Sequence, residues 1–130
     1  MNINDFLRQH AVNVPDKVAI CFKDQHLSYA QLHEQVEQTA AVLHTMELQR
    51  GDRIIWYGMN HPEMLVLLFA AAKNGLILTP LNWRLALPEL QRIVRDCQPA
   101  MIFHDHHFVE NITNLRLASD EDCGLSLIHI

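Results

Sequence analysis

Glycine is scarce in this sequence, and the few glycines lie far apart. Among 130 residues there are four, Gly51, Gly58, Gly75 and Gly124. Neither GxGxxG nor GxxxxGK[ST], the two common phosphate-binding patterns, can be built from them. This scarcity argues against a nucleotide site of a glycine-rich kind contained wholly within these residues.

Cysteine is also rare, and its spacing carries no metal or disulfide pattern. The three cysteines, Cys21, Cys97 and Cys123, form no CxxC pair. Their odd number and wide separation argue against a zinc ribbon or a disulfide framework. We expect free thiols buried in the core of a protein from a reducing compartment.

Long apolar runs and an excess of basic charge are missing as well. The longest apolar run, Met64–Ala72, has nine residues, whereas a membrane-spanning helix needs roughly 20. The N-terminus has no basic stretch leading into an apolar one, so no secretory signal is expected. With 10 Lys and Arg against 15 Asp and Glu, the net charge is −5, which argues against a nucleic-acid partner. We expect a cytoplasmic protein without a transmembrane segment.

What is present is a chain with 49% apolar residues, whose first third combines helices with a hairpin. The spacing predicts a short helix over Asn4–Val12 and strands at Lys17–Phe22 and His26–Tyr29. Ser28 and Gln31 match a capping box that begins an amphipathic helix of about 18 residues.

The middle of the chain alternates buried strands with helices. We expect Asn60 to cap the first of these helices, followed by Pro62 in its first turn. Alternation of this kind predicts a parallel sheet and an α/β fold, here a βαβαβ unit preceded by the N-terminal helix and hairpin. The predicted strands are Ile54–Tyr57, Leu76–Pro80 and Ala100–Phe103, and the predicted helices are Met64–Lys73 and Pro88–Cys97.

Ligands of parallel sheets usually bind beyond the carboxyl ends of the strands. Arg84 lies in such a position, in a loop after the second strand of the unit, beside Asn82 and Trp83. Its guanidinium is suited to holding a phosphate or carboxylate in bidentate fashion. A structural ion pair or a carbonyl contact is the alternative, and the sequence leaves both open.

Four consecutive polar residues, His104, Asp105, His106 and His107, form the other candidate site. Imidazoles and a carboxylate could bind zinc or nickel. Side chains of adjacent residues in an extended chain alternate in direction, however, so we expect a solvated loop and assign no metal ligand. No serine lies in a G-x-S-x-G setting, and we assign no catalytic residue.

Six short motifs follow one another in an order typical of one enzyme superfamily. They are Pro15–Ala19, Leu27–Leu32, Arg50–Ile54, Asn60–Glu63, Ala72–Leu85 and Pro88–Leu90. Together they resemble the adenylate-forming (AMP-binding) enzymes. The Asn82-Trp83-Arg84-Leu85 form is similar to the acyl-CoA synthetase/ligase branch.

The resemblance implies an N-terminal part of a larger ligase of fatty acid metabolism. Such enzymes use ATP and Mg²⁺ to convert a carboxylic acid to an acyl-adenylate, which coenzyme A then converts to a thioester. The resemblance places Arg84 near the 3′-phosphate of CoA. The family's phosphate loop, ribose-binding aspartate and catalytic lysine match no residue of this chain. We therefore expect these 130 residues to be inactive alone and to bind none of the cofactors tightly.

The last six residues, Leu125–Ile130, resemble the translation of a transposon-end adapter used in preparing sequencing libraries. We interpret residues 1–124 as an incomplete N-terminal part of an AMP-dependent synthetase/ligase domain and 125–130 as a non-native tail. A native apolar strand is the alternative for the tail.

Two alternatives to a ligase fragment remain for the chain as a whole. One is a small stand-alone α/β ligand-binding or regulatory domain with a pocket lined by Arg84. The other is a metal-binding protein that uses His104, His106 and His107. The oligomeric state is not indicated by the sequence.

Overall fold

The computed structural model describes the backbone of residues 1–118 and 126–129 and, except for Val109, the side chains of residues 1–115. The chain divides into two compact units. The first unit comprises Met1–Arg50 and Asn60–Leu76, and the second comprises Gly51–Met59 and Ile77–Ile130. Each unit therefore takes residues from two separate parts of the chain.

The first unit is a helical layer with a two-stranded antiparallel hairpin. Its elements are α1 (Ile3–Asn13), β1 (Val18–Phe22), β2 (Gln25–Ser28), α2 (Tyr29–His44) and α3 (Pro62–Lys73). The predicted first helix, hairpin and long amphipathic helix are confirmed. The bounds of α1, β1 and β2 match to within one residue, and α2 has 16 residues against about 18 predicted.

The start of α2 is fixed by the predicted capping box. The Ser28 hydroxyl accepts a hydrogen bond from the Gln31 amide at 3.2 Å, and the Gln31 side chain accepts one from the Ser28 amide at 2.9 Å. Two amides that the helix leaves without a partner are thereby satisfied. This local signal was readable from the sequence because it depends on only four residues.

The start of α3 differs from the prediction, because His61 caps this helix in place of Asn60. The Nδ1 atom of His61 accepts a hydrogen bond from the Glu63 amide at 3.2 Å. Pro62 occupies the first turn and disfavours helical backbone in the residue before it. His61 is accordingly extended and takes the capping position.

The core of the first unit is the contact between α2 and α3. Hydrogen bonds join the same helices at their edge. The Asn74 amide group donates to the Ala40 carbonyl at 2.8 Å, and Lys73 forms an ion pair with Glu37. The buried residues of the two helices recur at helical spacing: Leu32, Val36, Ala40 and Leu43 on α2, and Pro62, Val66, Leu67, Ala70 and Ala71 on α3.

The second unit is built on a parallel sheet with strand order β4-β3-β5-β6. Its strands are β3 (Arg53–Tyr57), β4 (Ile77–Leu81), β5 (Met101–His104) and β6 (Ser126–His129). Its helices are α4 (Leu87–Cys97) and α5 (Val109–Ala118), with a 3₁₀ turn at His106–Phe108. The predicted α/β fold with a parallel βαβαβ unit, an N-terminal helix and a hairpin is confirmed.

The sheet register places the carboxyl ends of three strands side by side. Tyr57 pairs with Leu81 of β4 on one side and with His104 of β5 on the other. The loops after these three strands therefore begin at one sheet edge. Beside the sheet lies a cluster of buried apolar residues: Ile55, Tyr57, Leu81, Leu90, Val94, Ile102, Phe108, Ile112 and Leu115.

The cysteines do not follow the prediction of buried thiols. Cys21 is exposed and Cys97 is only partly buried. Cys21 lies on the outward face of a two-stranded hairpin, and Cys97 lies at the last position of α4. Periodicity placed them in apolar segments but did not show that these positions lack full cover. Cys123 lies outside the described residues.

Among the described helices, none has the length and hydropathy of a membrane span.

The strand at Ser126–His129 falls within the segment that we interpret as adapter-derived. A short, largely apolar segment that includes a β-branched residue is compatible with a strand whatever its genetic origin. The interpretation of this tail therefore stays a prediction.

Candidate functional site

The candidate site lies at the carboxyl edge of the parallel sheet in the second unit. Gly58 follows β3 there, and Asp105 follows β5. A Cβ atom on Gly58 would lie 3.2 Å from the Cβ of Asp105 and 3.3 Å from the Trp56 ring. These distances are shorter than an ordinary van der Waals contact, so a side chain at position 58 would crowd Asp105 and Trp56 where the two chain segments approach each other.

The loop after β4 is shaped by Asn82. Its side-chain Oδ1 accepts a hydrogen bond from the Arg84 amide at 3.1 Å, and its carbonyl accepts one from the Leu85 amide at 3.1 Å. These bonds form a tight turn of the kind that asparagine favours. In this turn Trp83 is half-buried against the apolar cluster, whereas Arg84 is exposed.

Three aromatic side chains, one of them from this loop, lie side by side. We call them the aromatic row: Tyr57, Phe108 and Trp83. The ring centroids of Tyr57 and Phe108 are 5.0 Å apart, and those of Phe108 and Trp83 are 5.9 Å apart. Asn111 donates a hydrogen bond to the Tyr57 hydroxyl at 3.2 Å. The row packs the loop after β4 against the segment after β5.

Arg84 stands at the outer end of the aromatic row. Its guanidinium carbon lies 5.0 Å from the centroid of the Trp83 ring, within the range of a cation–π interaction. None of the ion pairs between described side chains includes Arg84. The structural part of the sequence interpretation named an ion pair or a carbonyl contact. Among the described residues no ion pair of Arg84 is found, and its exposed side chain contacts the Trp83 ring.

The carboxylate of Asp105 lies close to the imidazole rings of His106 and His107. Its Oδ1 accepts hydrogen bonds from the His107 amide at 2.7 Å and from the His107 ring Nδ1 at 2.8 Å. The Nδ1 of His106 lies 4.0 Å from the same oxygen, and the two imidazole rings are 4.0 Å apart. His104 is buried, and its Nδ1 atom lies 3.1 Å from the Asp105 carbonyl oxygen.

These contacts set the charge state of Asp105. Partial burial alone would raise the pKa of this carboxyl. The hydrogen bonds from the His107 amide and ring, together with the positive charge of His107 and His106, outweigh that effect. The pKa of Asp105 is therefore lowered, and the carboxylate form is stabilised at this sheet edge.

The expectation that the side chains after His104 diverge as in an extended chain is wrong, although His106 and His107 are exposed to solvent as expected of this segment. Residues His106–Phe108 form a 3₁₀ turn, and this turn brings Asp105, His106 and His107 together. Their candidate ligand atoms all lie within 4.8 Å of one another. The argument that neighbouring side chains must diverge holds for strands, and it does not apply to a tight helical turn.

The structure shows which side chains contact the site residues named from the sequence. Arg84 contacts the Trp83 ring, and His106 and His107 lie beside Asp105. The roles of Gly58 and of the aromatic row were not predicted. A glycine directly after a buried strand was a usable signal for a close approach. The pairing of Tyr57 with Phe108 joins residues about 50 positions apart, and no local pattern reveals it.

A parallel sheet flanked by helices places the second unit in the α/β class, in which ligands usually bind at the carboxyl edge of the sheet. Within that class the sequence is specific: the family model described as AMP-binding enzyme matches residues 7–128. The chain belongs to the AMP-binding enzyme family. The superfamily identified by resemblance is confirmed.

Two curated relatives of this chain are an acid–CoA ligase and an acyl-CoA synthase. The chain is 40% identical over 116 residues to the indoleacetate–CoA ligase of Aromatoleum aromaticum, covering 89% of this chain and 23% of that protein. It is 33% identical over 101 residues to a feruloyl-CoA synthase of Amycolatopsis, covering 78% and 21% respectively. The chain thus spans less than a quarter of the length of these curated relatives.

The fold is similar to that of solved ligases. A fatty acyl-CoA synthetase from Mycobacterium tuberculosis superposes with a TM-score of 0.89 at 29% identity, covering 99% of this chain and 26% of that chain. The benzoate CoA ligase of Burkholderia xenovorans gives a TM-score of 0.88 at 18% identity, covering 100% and 26%. The second comparison supports the fold alone.

Proposed function

We propose that this chain is the N-terminal part of an AMP-forming carboxylic acid–CoA ligase. The observation that carries the proposal is the family match over residues 7–128, together with relatives that are acid–CoA ligases. In such a reaction a carboxylate attacks the α-phosphate of ATP and releases pyrophosphate. The thiol of coenzyme A then attacks the acyl carbonyl and releases AMP.

In the complete enzyme Mg²⁺ would neutralise phosphate charge during the first step. We assign no residue of this chain to ATP or Mg²⁺, because the four glycines form no phosphate loop. The acid substrate is left as a carboxylic acid of the fatty or aromatic class. The cytoplasmic location inferred from composition stays a prediction.

We infer that the 130 residues do not catalyse the reaction alone. The sequence contains no match to the family's phosphate loop, ribose-binding aspartate or catalytic lysine. Residues 1–124 are proposed as the native portion, with 125–130 derived from an adapter. Genomic sequence beyond codon 124 should continue in frame into a Ser/Thr/Gly-rich loop ending in Pro-Lys. A stop codon or an unrelated sequence there would count against both proposals.

The reaction type is tested in a full-length ligase that carries this segment. With ATP, Mg²⁺, CoA and a panel of fatty and aromatic acids, AMP, pyrophosphate and thioester should form in equal amounts. ADP and inorganic phosphate as products would contradict an AMP-forming ligase. Thioester formation with GTP in place of ATP would also count against the proposed nucleotide.

Arg84 is proposed as a contact for the 3′-phosphate of CoA. Support comes from its exposed guanidinium at the ligand edge, its support by the Trp83 ring and its lack of an ion pair among the described side chains. A planar guanidinium matches a phosphate in bidentate geometry. This contact would position the nucleotide end of CoA without touching the reacting atoms.

The matched probe for this contact is dephospho-CoA, which lacks only the 3′-phosphate. In the full-length enzyme, Arg84→Ala should raise the KM for CoA about tenfold, the loss expected for one charge-assisted hydrogen bond. The KM for dephospho-CoA should not change. Arg92→Ala, at an exposed position of α4, is the control and should alter neither value. Equal losses with both thiols would overturn the role of Arg84.

The stand-alone binding domain is less well supported. That alternative predicted a pocket lined by Arg84. An apolar cavity in the first unit has a volume of about 330 Å³. It is lined by residues of α1, β1, α2 and α3. This cavity lies in the first unit and does not test that alternative. The ligase proposal is preferred because the family model matches residues 7–128.

A further inference from the structure

The segment after β5 carries a group of side chains that the ligase proposal does not use. We call Asp105, His106 and His107 the Asp105 cluster. Each offers one ligand atom, and these atoms lie within 4.8 Å of one another. The Nδ1 atoms of His107 and His106 lie 2.8 Å and 4.0 Å from the same Asp105 oxygen.

The donor set of the Asp105 cluster favours a particular class of ion. Two imidazole nitrogens with one carboxylate oxygen suit Zn²⁺ and similar transition-metal ions. Mg²⁺ instead prefers an octahedral shell of oxygen atoms. The chemistry of these three side chains therefore selects against the ion that accompanies ATP.

The geometry needs only a small adjustment to close around an ion. Two ligand atoms of a tetrahedral zinc ion with bonds of about 2.0–2.1 Å lie roughly 3.3 Å apart. The 2.8 Å contact of His107 must lengthen slightly, and the 4.0 Å contact of His106 must shorten. Rotation about the side-chain bonds of two exposed histidines supplies both movements.

The cluster is both anchored and accessible. The His107 amide holds the Asp105 carboxylate at 2.7 Å, so the central ligand is already oriented. The side chains of His106 and His107 are 65% and 60% exposed, whereas that of Asp105 is 22% exposed. A hydrated ion can therefore reach the cluster from solvent.

We propose that Asp105, His106 and His107 form a Zn²⁺ site at the carboxyl edge of the sheet. Three protein ligands leave the fourth tetrahedral position to water. This inference is independent of the ligase proposal, because it rests on the side chains of the second unit alone. Failure of one proposal would leave the other standing.

The test is a calorimetric titration of the 130-residue chain with Zn²⁺ in the presence of excess Mg²⁺. One ion should bind per chain, and Mg²⁺ should not compete. Asp105→Asn and His107→Gln should each weaken binding about tenfold or more, since loss of even an outer partner costs 10- to 100-fold. The asparagine variant keeps an oxygen for the His107 amide, so the turn is preserved.

The control is His26→Gln, which changes an exposed histidine on the hairpin of the first unit. Its affinity for Zn²⁺ should equal that of the unmodified chain. Equal weakening by all three substitutions, or no weakening by any, would overturn the proposal, as would an absence of binding.

A second measurement does not depend on affinities. Paramagnetic Co²⁺, added in small amounts, should broaden the ring NMR signals of His106 and His107 before those of His26. Simultaneous broadening of all exposed histidines would show unspecific binding and contradict the site.

Discussion

The two units differ in how their structure is determined and in what they present to solvent. In the first unit, helix starts are set by capping residues within three positions, as at Ser28 and at Asn2. In the second unit, the sheet joins segments that are more than 20 residues apart. The helix starts of the first unit are therefore set locally, whereas the sheet of the second unit depends on long-range pairing.

Their surfaces differ in the same sense. The large apolar residues exposed on the first unit are Met1, Ile3, Phe6, Val12, Val14, Val18 and Val42. Among the described residues of the second unit, only Met59 and Ile77 belong to this group. The second unit instead presents Arg84 and the Asp105 cluster. The comparison shows that packing surface and candidate chemistry reside in separate units.

The largest effect should follow from emptying the core beside the sheet. Ile55→Ala removes a fully buried side chain of the central strand and should lower the free energy of unfolding by about 2–5 kcal/mol. Phe6→Ala, at a half-exposed position of α1, should cost about 1 kcal/mol or less. Urea denaturation measures both, and equal losses would contradict the contrast between the buried sheet core of the second unit and the exposed apolar surface of the first.

A smaller effect is expected from the close approach at the carboxyl edge. Gly58→Ala places a Cβ at 3.2 Å from the Cβ of Asp105 and 3.3 Å from the Trp56 ring. Because overpacking shifts the backbone, we expect a loss of about 1–3 kcal/mol, measured by urea denaturation. The matched variant is Gly51→Ala, which meets no atom within 4 Å but has a φ of +92°.

The comparison of the two alanine variants separates contact from backbone strain. Gly51→Ala should be destabilising without moving the Asp105 cluster. Gly58→Ala should in addition shift the NMR signals of His106 and His107. Unchanged signals in Gly58→Ala would show that the approach does not position Asp105.

Substitutions at the helix caps should change the free energy of unfolding in opposite directions in the two units. Ser28→Ala removes the cap of α2 and should cost about 0.5–2 kcal/mol. Ala86, at the start of α4, supplies no side-chain cap, although Glu89 accepts a hydrogen bond from its amide at 3.2 Å. Ala86→Ser should therefore stabilise by about 1 kcal/mol. Thermal unfolding checks both, and a destabilised Ala86→Ser would contradict this account of the cap.

The smallest effects concern two carboxyls, one in each unit. The hydrogen bond from Lys73 lowers the pKa of Glu37, and the contacts from His107 and His106, opposed by burial, lower that of Asp105. A lowered pKa in the folded state adds stability above the ordinary carboxyl range, and this stability is lost as the pH falls through the folded value. Each contribution should stay below about 1 kcal/mol because both sites border solvent.

The measurement is urea denaturation of Glu37→Gln and Asp105→Asn beside the unmodified chain from pH 6 to pH 2. The difference from the unmodified chain should shrink toward zero at the acidic end. A difference that grows with falling pH would reverse the assigned sign for that carboxyl.

What could be predicted from the sequence depends on the range of the signal, and successes and failures occur in both units. The capping box at Ser28 and the βαβαβ order were readable because they depend on short-range patterns. The cap at His61 was not predicted. Asparagine is the stronger capping residue, and the extended backbone that Pro62 favours in the residue before it places the cap at His61. The exposure of Cys21 was missed because periodicity does not show what covers a face. The convergence of the Asp105 cluster required the 3₁₀ turn, which no periodic signal announced.

The central claim is that these residues belong to an AMP-forming ligase whose catalytic groups lie outside them. The most direct test is pyrophosphate release with ATP, Mg²⁺, CoA and a panel of carboxylic acids, measured for the 130-residue chain and for a full-length ligase that carries it. The account predicts acid-dependent release by the full-length enzyme and none above background by the 130-residue chain. Sustained acid-dependent turnover by the 130-residue chain would contradict it.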